Sequence, residues 1–191
     1  FSAVSPAIAL QSNNFNQGAV NHYGVFQLNS EWTDNFSTQA RVSYHDYLRL
    51  QEPFAGREFG QFRACQAAAN AGESAADLIT CPNGTPVVFF GPDISRQANE
   101  LSVKTLGVEL QARITGNGHD VKIIAERRGQ DINNLFAQRV SGDFTFDTVA
   151  DLQARRANRL EFATPIRGGL DTVAAIFQNN VYTFGVQDRW E

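Results

Sequence analysis

Few residues in this chain are of a type and spacing to do chemistry. Ser43, His45 and Asp46 come nearest to a nucleophile with its base and orienting acid. Side chains alternate along an extended strand, so Ser43 and His45 share a face while Asp46 points away, and no triad assembles there. His22, His45 and His119 lack metal-ligand spacing, and no H-E-x-x-H, C-x-x-C or G-x-S-x-G motif occurs. Gly116-Asn117-Gly118 has a turn composition without the strand-to-helix context of a phosphate loop. No enzyme, no cofactor and no metal site is expected; capture or passage is.

Cys65 and Cys81 are the two cysteines. They flank a short, small-residue segment, which suggests a disulfide formed in an oxidising compartment; the competing possibility is two unrelated thiols. Closing a loop of that length contributes about 3 kcal/mol in the chain-entropy model. Zinc is disfavoured, since the spacing fits no zinc template.

The elements that would position such residues show in the pattern of apolar positions. From Phe36 to Tyr44 one face reads Phe36, Thr38, Ala40, Val42, Tyr44 and the other Ser37, Gln39, Arg41, Ser43. That is the period-two signature of a half-buried strand. Upstream, Phe26, Leu28 and Trp32 share a face, and Thr33-Asp34-Asn35 joins the two runs as a hairpin turn. A second hairpin runs through Leu106, Val108, Leu110, Ala112 and Ile114, turns at 115–120 and returns through Val121, Ile123 and Ala125. Arg127 falls in the apolar register of that return, so a bulge or the end of the buried zone is expected near Glu126. Tyr182, Phe184, Val186 and Trp190 mark a last strand. Strands are expected near 22–32, 36–50, 100–115, 119–133 and 175–190. Between them lie long connections at about 51–99 and 133–172, the second with a capping box at Thr148–Asp151 opening a short helix through Arg156.

Composition narrows the surroundings. With 191 residues, 42% hydrophobic and 19% charged, the chain is too apolar to be disordered. A formal charge of −4 and a pI near 5.4 argue against a nucleic-acid surface. No apolar run reaches the length of about 18 residues that a transmembrane helix needs. The start at Phe1-Ser2-Ala3 suggests a mature form or, as the strand pattern favours, a portion of a longer polypeptide.

Short turns on one side and long connections on the other are the pattern of an outer-membrane barrel. Phe36 and Tyr44 lie eight residues apart, as do Tyr182 and Trp190. At about 3.3 Å per residue and a tilt near 40° that spacing climbs roughly 20 Å, close to the apolar band between aromatic girdles. Trp32, Phe36, Tyr44, Tyr182 and Trp190 are the candidate girdle aromatics. Phe36, Val42, Leu110 and Phe184 are then expected to point outward, with Arg41 and Arg113 inward. A soluble sandwich also alternates, and would pack the same apolar side chains against a second sheet.

Several segments resemble the TonB-dependent outer-membrane receptors, specifically their Oar-like branch. They are Gln27–Gln39 (QLNSEWTDNFSTQ), Phe89–Asn99 (FFGPDISRQAN), Asn134–Arg139 (NLFAQR), Gly142–Asp147 (GDFTFD) and Tyr182–Asp188 (YTFGVQD). The resemblance covers most of the chain from about Gly24 onward, and its motifs are barrel and loop segments without a chemical role. It implies an all-β fold: an antiparallel transmembrane β-barrel segment with long extracellular loops and a short loop helix. The whole of 1–191 would be part of a 22-stranded barrel wall, the plug domain and TonB box lying elsewhere. The implied function is uptake of a scarce nutrient (iron chelate, cobalamin, oligosaccharide or peptide) with energy from the TonB–ExbB–ExbD complex. The implied partners also include outer-membrane lipid and lipopolysaccharide, in the bacterial outer membrane.

The cations are nearly all Arg, whose planar fork suits carboxylate or phosphate. Candidate ligand contacts in the long connections are Arg57, Arg63, Arg96, Arg139, Phe89 and Phe90. Arg155, Arg156 and Arg159 are further candidates, as are Phe54, Phe59, Phe62, Phe144 and Phe146; the competing reading is that the Phe residues pack the loops against each other, that Arg reflects a codon bias against Lys, and that the 155–159 cluster pairs with Asp147, Asp151 or lipopolysaccharide phosphates. Two alternatives to the receptor are a passive porin or adhesin barrel and a soluble secreted β-sandwich binding module.

Overall fold

The structure, a computed structural model, describes residues 7–65, 81 and 86–190. Among the described residues the fold is all-β, with two five-stranded sheets and almost no helix. The strands are β1 (Ala7–Ala9), β2 (Phe15–Thr33), β3 (Phe36–Pro53), β4 (Gln61–Cys65), β5 (Val87–Phe90), β6 (Ala98–Gly116), β7 (His119–Ala137), β8 (Asp143–Phe146), β9 (Arg159–Glu161) and β10 (Ala175–Trp190). One short helix, α1 (Val149–Gln153), follows β8.

Five long strands form the first sheet in the order β10-β7-β6-β3-β2. All five expected strands are present, and β2 begins well before the expected 22 because its Asn- and Gln-rich start carries no apolar period. The β6–β7 turn places Asn117 at φ 50° and Gly118 at φ 81°, the two left-handed positions of a tight hairpin turn whose twist matches its strands. The β7–β10 register runs unbroken from Ala175 opposite Asn134 to Trp190 opposite His119, so there is no bulge at Glu126. The sheet is open: β2 and β10 are its edges, and it is not a closed barrel.

The long connections are not the irregular loops expected of them. With Ala7–Ala9, strands from these connections form a second sheet in the order β1-β5-β4-β8-β9. It is mixed: β1 with β5 and β4 with β8 pair in parallel, while β4 with β5 and β8 with β9 are antiparallel. The chain divides into two compact units. One holds residues 1–18, 50–100 and 135–174, the other residues 19–49, 101–134 and 175–191.

Helix α1 starts where the capping pattern places it. Thr148 Oγ1 accepts from Asp151 N at 3.0 Å and donates to Asp151 Oδ2 at 2.7 Å. It ends earlier than expected, at Gln153, and Arg155 then turns left-handed at φ 56°. Arg155 and Arg159 therefore do not share a helix face; Arg159 lies in β9.

Candidate functional site

The long sheet has two faces of opposite character, and register decides which residues share each. On β3 and β6, Phe36 opposes Ile114, Thr38 opposes Ala112, Ala40 opposes Leu110, Val42 opposes Val108 and Tyr44 opposes Leu106. On β7 and β10, Ile123 opposes Val186 and Ala125 opposes Phe184. Trp32 joins Thr38, donating from Nε1 to its Oγ1 at 2.8 Å. These side chains are uncovered: Leu110 is 56% exposed, Trp32 64% and Phe184 79%. Fully burying one large apolar side chain is worth about 1.5–3 kcal/mol. Leaving Leu106, Leu110, Ile114, Ile123, Phe184 and Val186 in water thus forgoes on the order of 10 kcal/mol, as much as the whole stability of a domain.

The apolar band has defined ends. Beyond Tyr44 and Leu106 the same face continues with Asp46 opposite Lys104. Beyond Phe184, Arg127 stands opposite Tyr182 and donates to Asn180 Oδ1 at 2.8 Å, and Gln178 donates to Asp131 Oδ1 at 2.7 Å. Arg127 thus marks the end of the apolar zone. Near the other end, the His119 ring stacks on Trp190 at 5.9 Å and its Nδ1 lies 2.9 Å from Asp188. Trp32, Phe36 and Trp190 flank the short turns, while Tyr44 and Tyr182 lie eight residues further along their strands.

The opposite face pairs its polar groups. Arg41 bonds Glu109, Arg113 grips both carboxylate oxygens of Asp120 at 2.7 Å, and His45 Nε2 lies 3.0 Å from Asn21 Oδ1. Arg41 and Arg113 are thus on the face away from Val42 and Leu110.

In the unit of residues 1–18, 50–100 and 135–174 the candidate ligand contacts fall in different places. Arg63 is 2% exposed, and its Nε and Nη2 reach the two oxygens of Asp143 at 3.2 and 3.1 Å. It is an internal ion pair, not an exposed loop contact. Asp143 is fully buried, also bonded by Gln61 Nε2 at 3.4 Å, and Arg139 Nε lies 3.7 Å away. Burial pushes the Asp143 carboxyl above the usual carboxylate range, against the opposing pull of Arg63, Gln61 and Arg139. Arg139, at φ 62°, also meets Glu161 at 3.3 Å.

Cys65 and Cys81 form a disulfide, with Cα atoms 5.6 Å apart, and it is buried beside Val87 and Phe89. Phe90 stacks on Phe62 at 5.1 Å, and Phe62 on Phe144 at 5.1 Å, a ladder set by cross-strand register. Arg96 lies over the Phe15 ring at 4.1 Å. Arg156 pairs with Asp151 at 2.8 Å, and Arg159 with Glu161 at 2.8 Å.

Arg57 lines a cavity. Its Nη1 donates to Glu100 at 3.0 Å and its Nη2 to the Gln51 carbonyl at 2.8 Å. With Gln97, Glu100, Ser141, Leu135 and Leu170 it lines about 420 Å³, within the range of small-molecule pockets. The residues missed in the sequence are Asp143, Gln61 and Gln97, all buried and polar. The alternation in Asp143-Phe144-Thr145-Phe146 was their one available signal.

In comparisons with known proteins, no family model, no curated protein and no solved structure matches this chain.

Proposed function

We propose that the chain is part of an outer-membrane active-transport receptor. Its long sheet turns the apolar face to lipid and the polar face to an aqueous lumen. Residues of the long connections capture a scarce nutrient, which is imported with TonB-supplied energy. The observation that carries this proposal is the uncovered apolar band. The nine residues from Phe36 to Tyr44 match the roughly 9–11 residues that a strand needs to cross hydrocarbon, and aromatics and then charged or amide side chains bound the band on the same face. The buried disulfide agrees with an oxidising compartment. The Arg57 cavity, with an ion pair at its wall and apolar groups beside it, offers a place for a small ligand.

The test is extraction and transport with the native polypeptide. The expected results are release from the envelope by detergent alone and loss of nutrient-dependent growth when TonB is deleted. Release into buffer without detergent overturns the membrane assignment. Detergent dependence with TonB-independent uptake leaves a passive barrel and overturns active transport.

A further inference from the structure

The apolar face is not uniform. Thr38, Ala40, Leu110, Ala112, Ile123 and Ala125 line a shallow groove of about 380 Å³ in the middle of the band. It exists because small side chains stand in register where the neighbouring rows carry large ones: Val42 opposes Val108 just beyond Ala40 and Leu110, and Phe36 opposes Ile114 just before Thr38 and Ala112. On the same face of β7, two residues beyond Ala125, stands Arg127, opposite Tyr182 on β10. Arg127 is exposed and bonds only the neutral amide of Asn180, at 2.8 Å. Among the described residues it has no ion-pair partner.

We propose that this groove seats one acyl chain of an anionic membrane lipid, whose phosphate is held by Arg127 at the end of the apolar band. The proposal rests on the membrane assignment above and names one lipid site within it. The occupant follows from the chemistry of the lining. A slot of methyl and methylene groups offers a saturated chain dispersion contacts and no polar partner. A guanidinium with an unmatched charge at the slot's end recognises phosphate oxygens through its fork. A protein side chain would fill the slot equally well but would leave Arg127 unmatched. Tyr182, beside Arg127, supplies the amphipathic ring common at headgroup depth.

The experiment is native mass spectrometry of the detergent-purified full polypeptide, titrated with phosphatidylglycerol and with phosphatidylcholine of identical chains. Retention of phosphatidylglycerol is expected to exceed that of phosphatidylcholine by about five-fold, the effect of one cation near an anionic headgroup. Arg127→Gln should abolish that preference while keeping chain-dependent retention. Ala112→Leu, which fills the slot without disturbing the backbone, should lower retention of both lipids, and Gln187→Leu, on the opposite face and opposite Lys122, should lower neither. Equal retention in wild type and both groove variants overturns the lipid site and leaves the membrane assignment standing. A polypeptide that stays monodisperse without detergent and retains neither lipid overturns both.

Discussion

Placing an arginine at successive depths of the apolar band tests whether hydrocarbon covers it. Leu110 lies four residues from Ile114 and four from Leu106 on β6, so it stands near mid-band, roughly 10 Å from either end at a 40° tilt. A lipid-facing Arg costs about 2–4 kcal/mol at the midplane and about 0–1 kcal/mol near the interfaces. Leu110→Arg should therefore lower the folding equilibrium constant by roughly 30- to 1,000-fold, and Ile114→Arg by less than about five-fold. Gln111→Arg points to the polar face beside Gln39 and should change stability by less than about 0.5 kcal/mol. The assay is reversible guanidinium unfolding of the full polypeptide in phosphatidylcholine vesicles, followed by fluorescence of Trp32 and Trp190 and extrapolated linearly. A water-exposed face would tolerate Arg at all three positions. A sandwich core would penalise Ile114→Arg as heavily as Leu110→Arg. Either profile refutes the lipid-facing sheet, whereas a cost peaking at Leu110 supports it.

Four further outcomes concern the unit that holds the short-stranded sheet. Reducing Cys65–Cys81, 16 residues apart, should cost about 3 kcal/mol, read as a lower denaturation midpoint of that unit with dithiothreitol. Arg63→Ala leaves Asp143 buried without its main counter-charge and should cost about 3–5 kcal/mol, measured by the same titration. The raised Asp143 carboxyl gives a pH dependence whose sign is fixed. The folded state holds this proton to higher pH than the unfolded chain, so its contribution is full below the ordinary value near 3.8 and is lost as pH rises through the folded-state pKa. Asp143→Asn should remove that slope, and an unchanged pH profile would sink the assignment. Gly60→Ala should destabilise by about 1–3 kcal/mol, since its Cβ would lie 2.7 Å from the Ser141 and Gly142 carbonyl oxygens; calorimetry reads it as a lower melting temperature.

The long strands were legible because each repeats its alternation over many residues, and one apolar face set against one polar face leaves a single consistent register. The end of the apolar zone at Arg127 was legible for the same reason. The second sheet was not. Strands such as Gln61–Cys65 and Asp143–Phe146 have five and four residues, too few to establish a period, and Arg63 and Asp143 occupy inward positions where an apolar residue would signal a core. Their burial is legible only once the two strands are known to be partners, because each charge is tolerable through the other. Helix α1 was placed by its cap, and its stop was misplaced because no glycine or proline marks it; a left-handed Arg155 does that work instead. Among the arginines, residue type alone did not separate Arg57, which lines a cavity, from Arg63, which is sealed inside.

The pairing of β4 with β8 also bears on how the protein reaches its folded state. Arg63 and Asp143 are 80 residues apart in the chain, and their strands run parallel. Contacts between such distant segments form slowly, because the entropy of closing the intervening chain is lost before the pairing returns anything. The hairpins turning at Asp34-Asn35 and Asn117-Gly118 close over two residues and belong to the fast, microsecond class. The disulfide spans 16 residues, far fewer than the ion pair. Closing that loop therefore costs the chain less entropy than the pairing that buries Arg63, whatever the pace of oxidation.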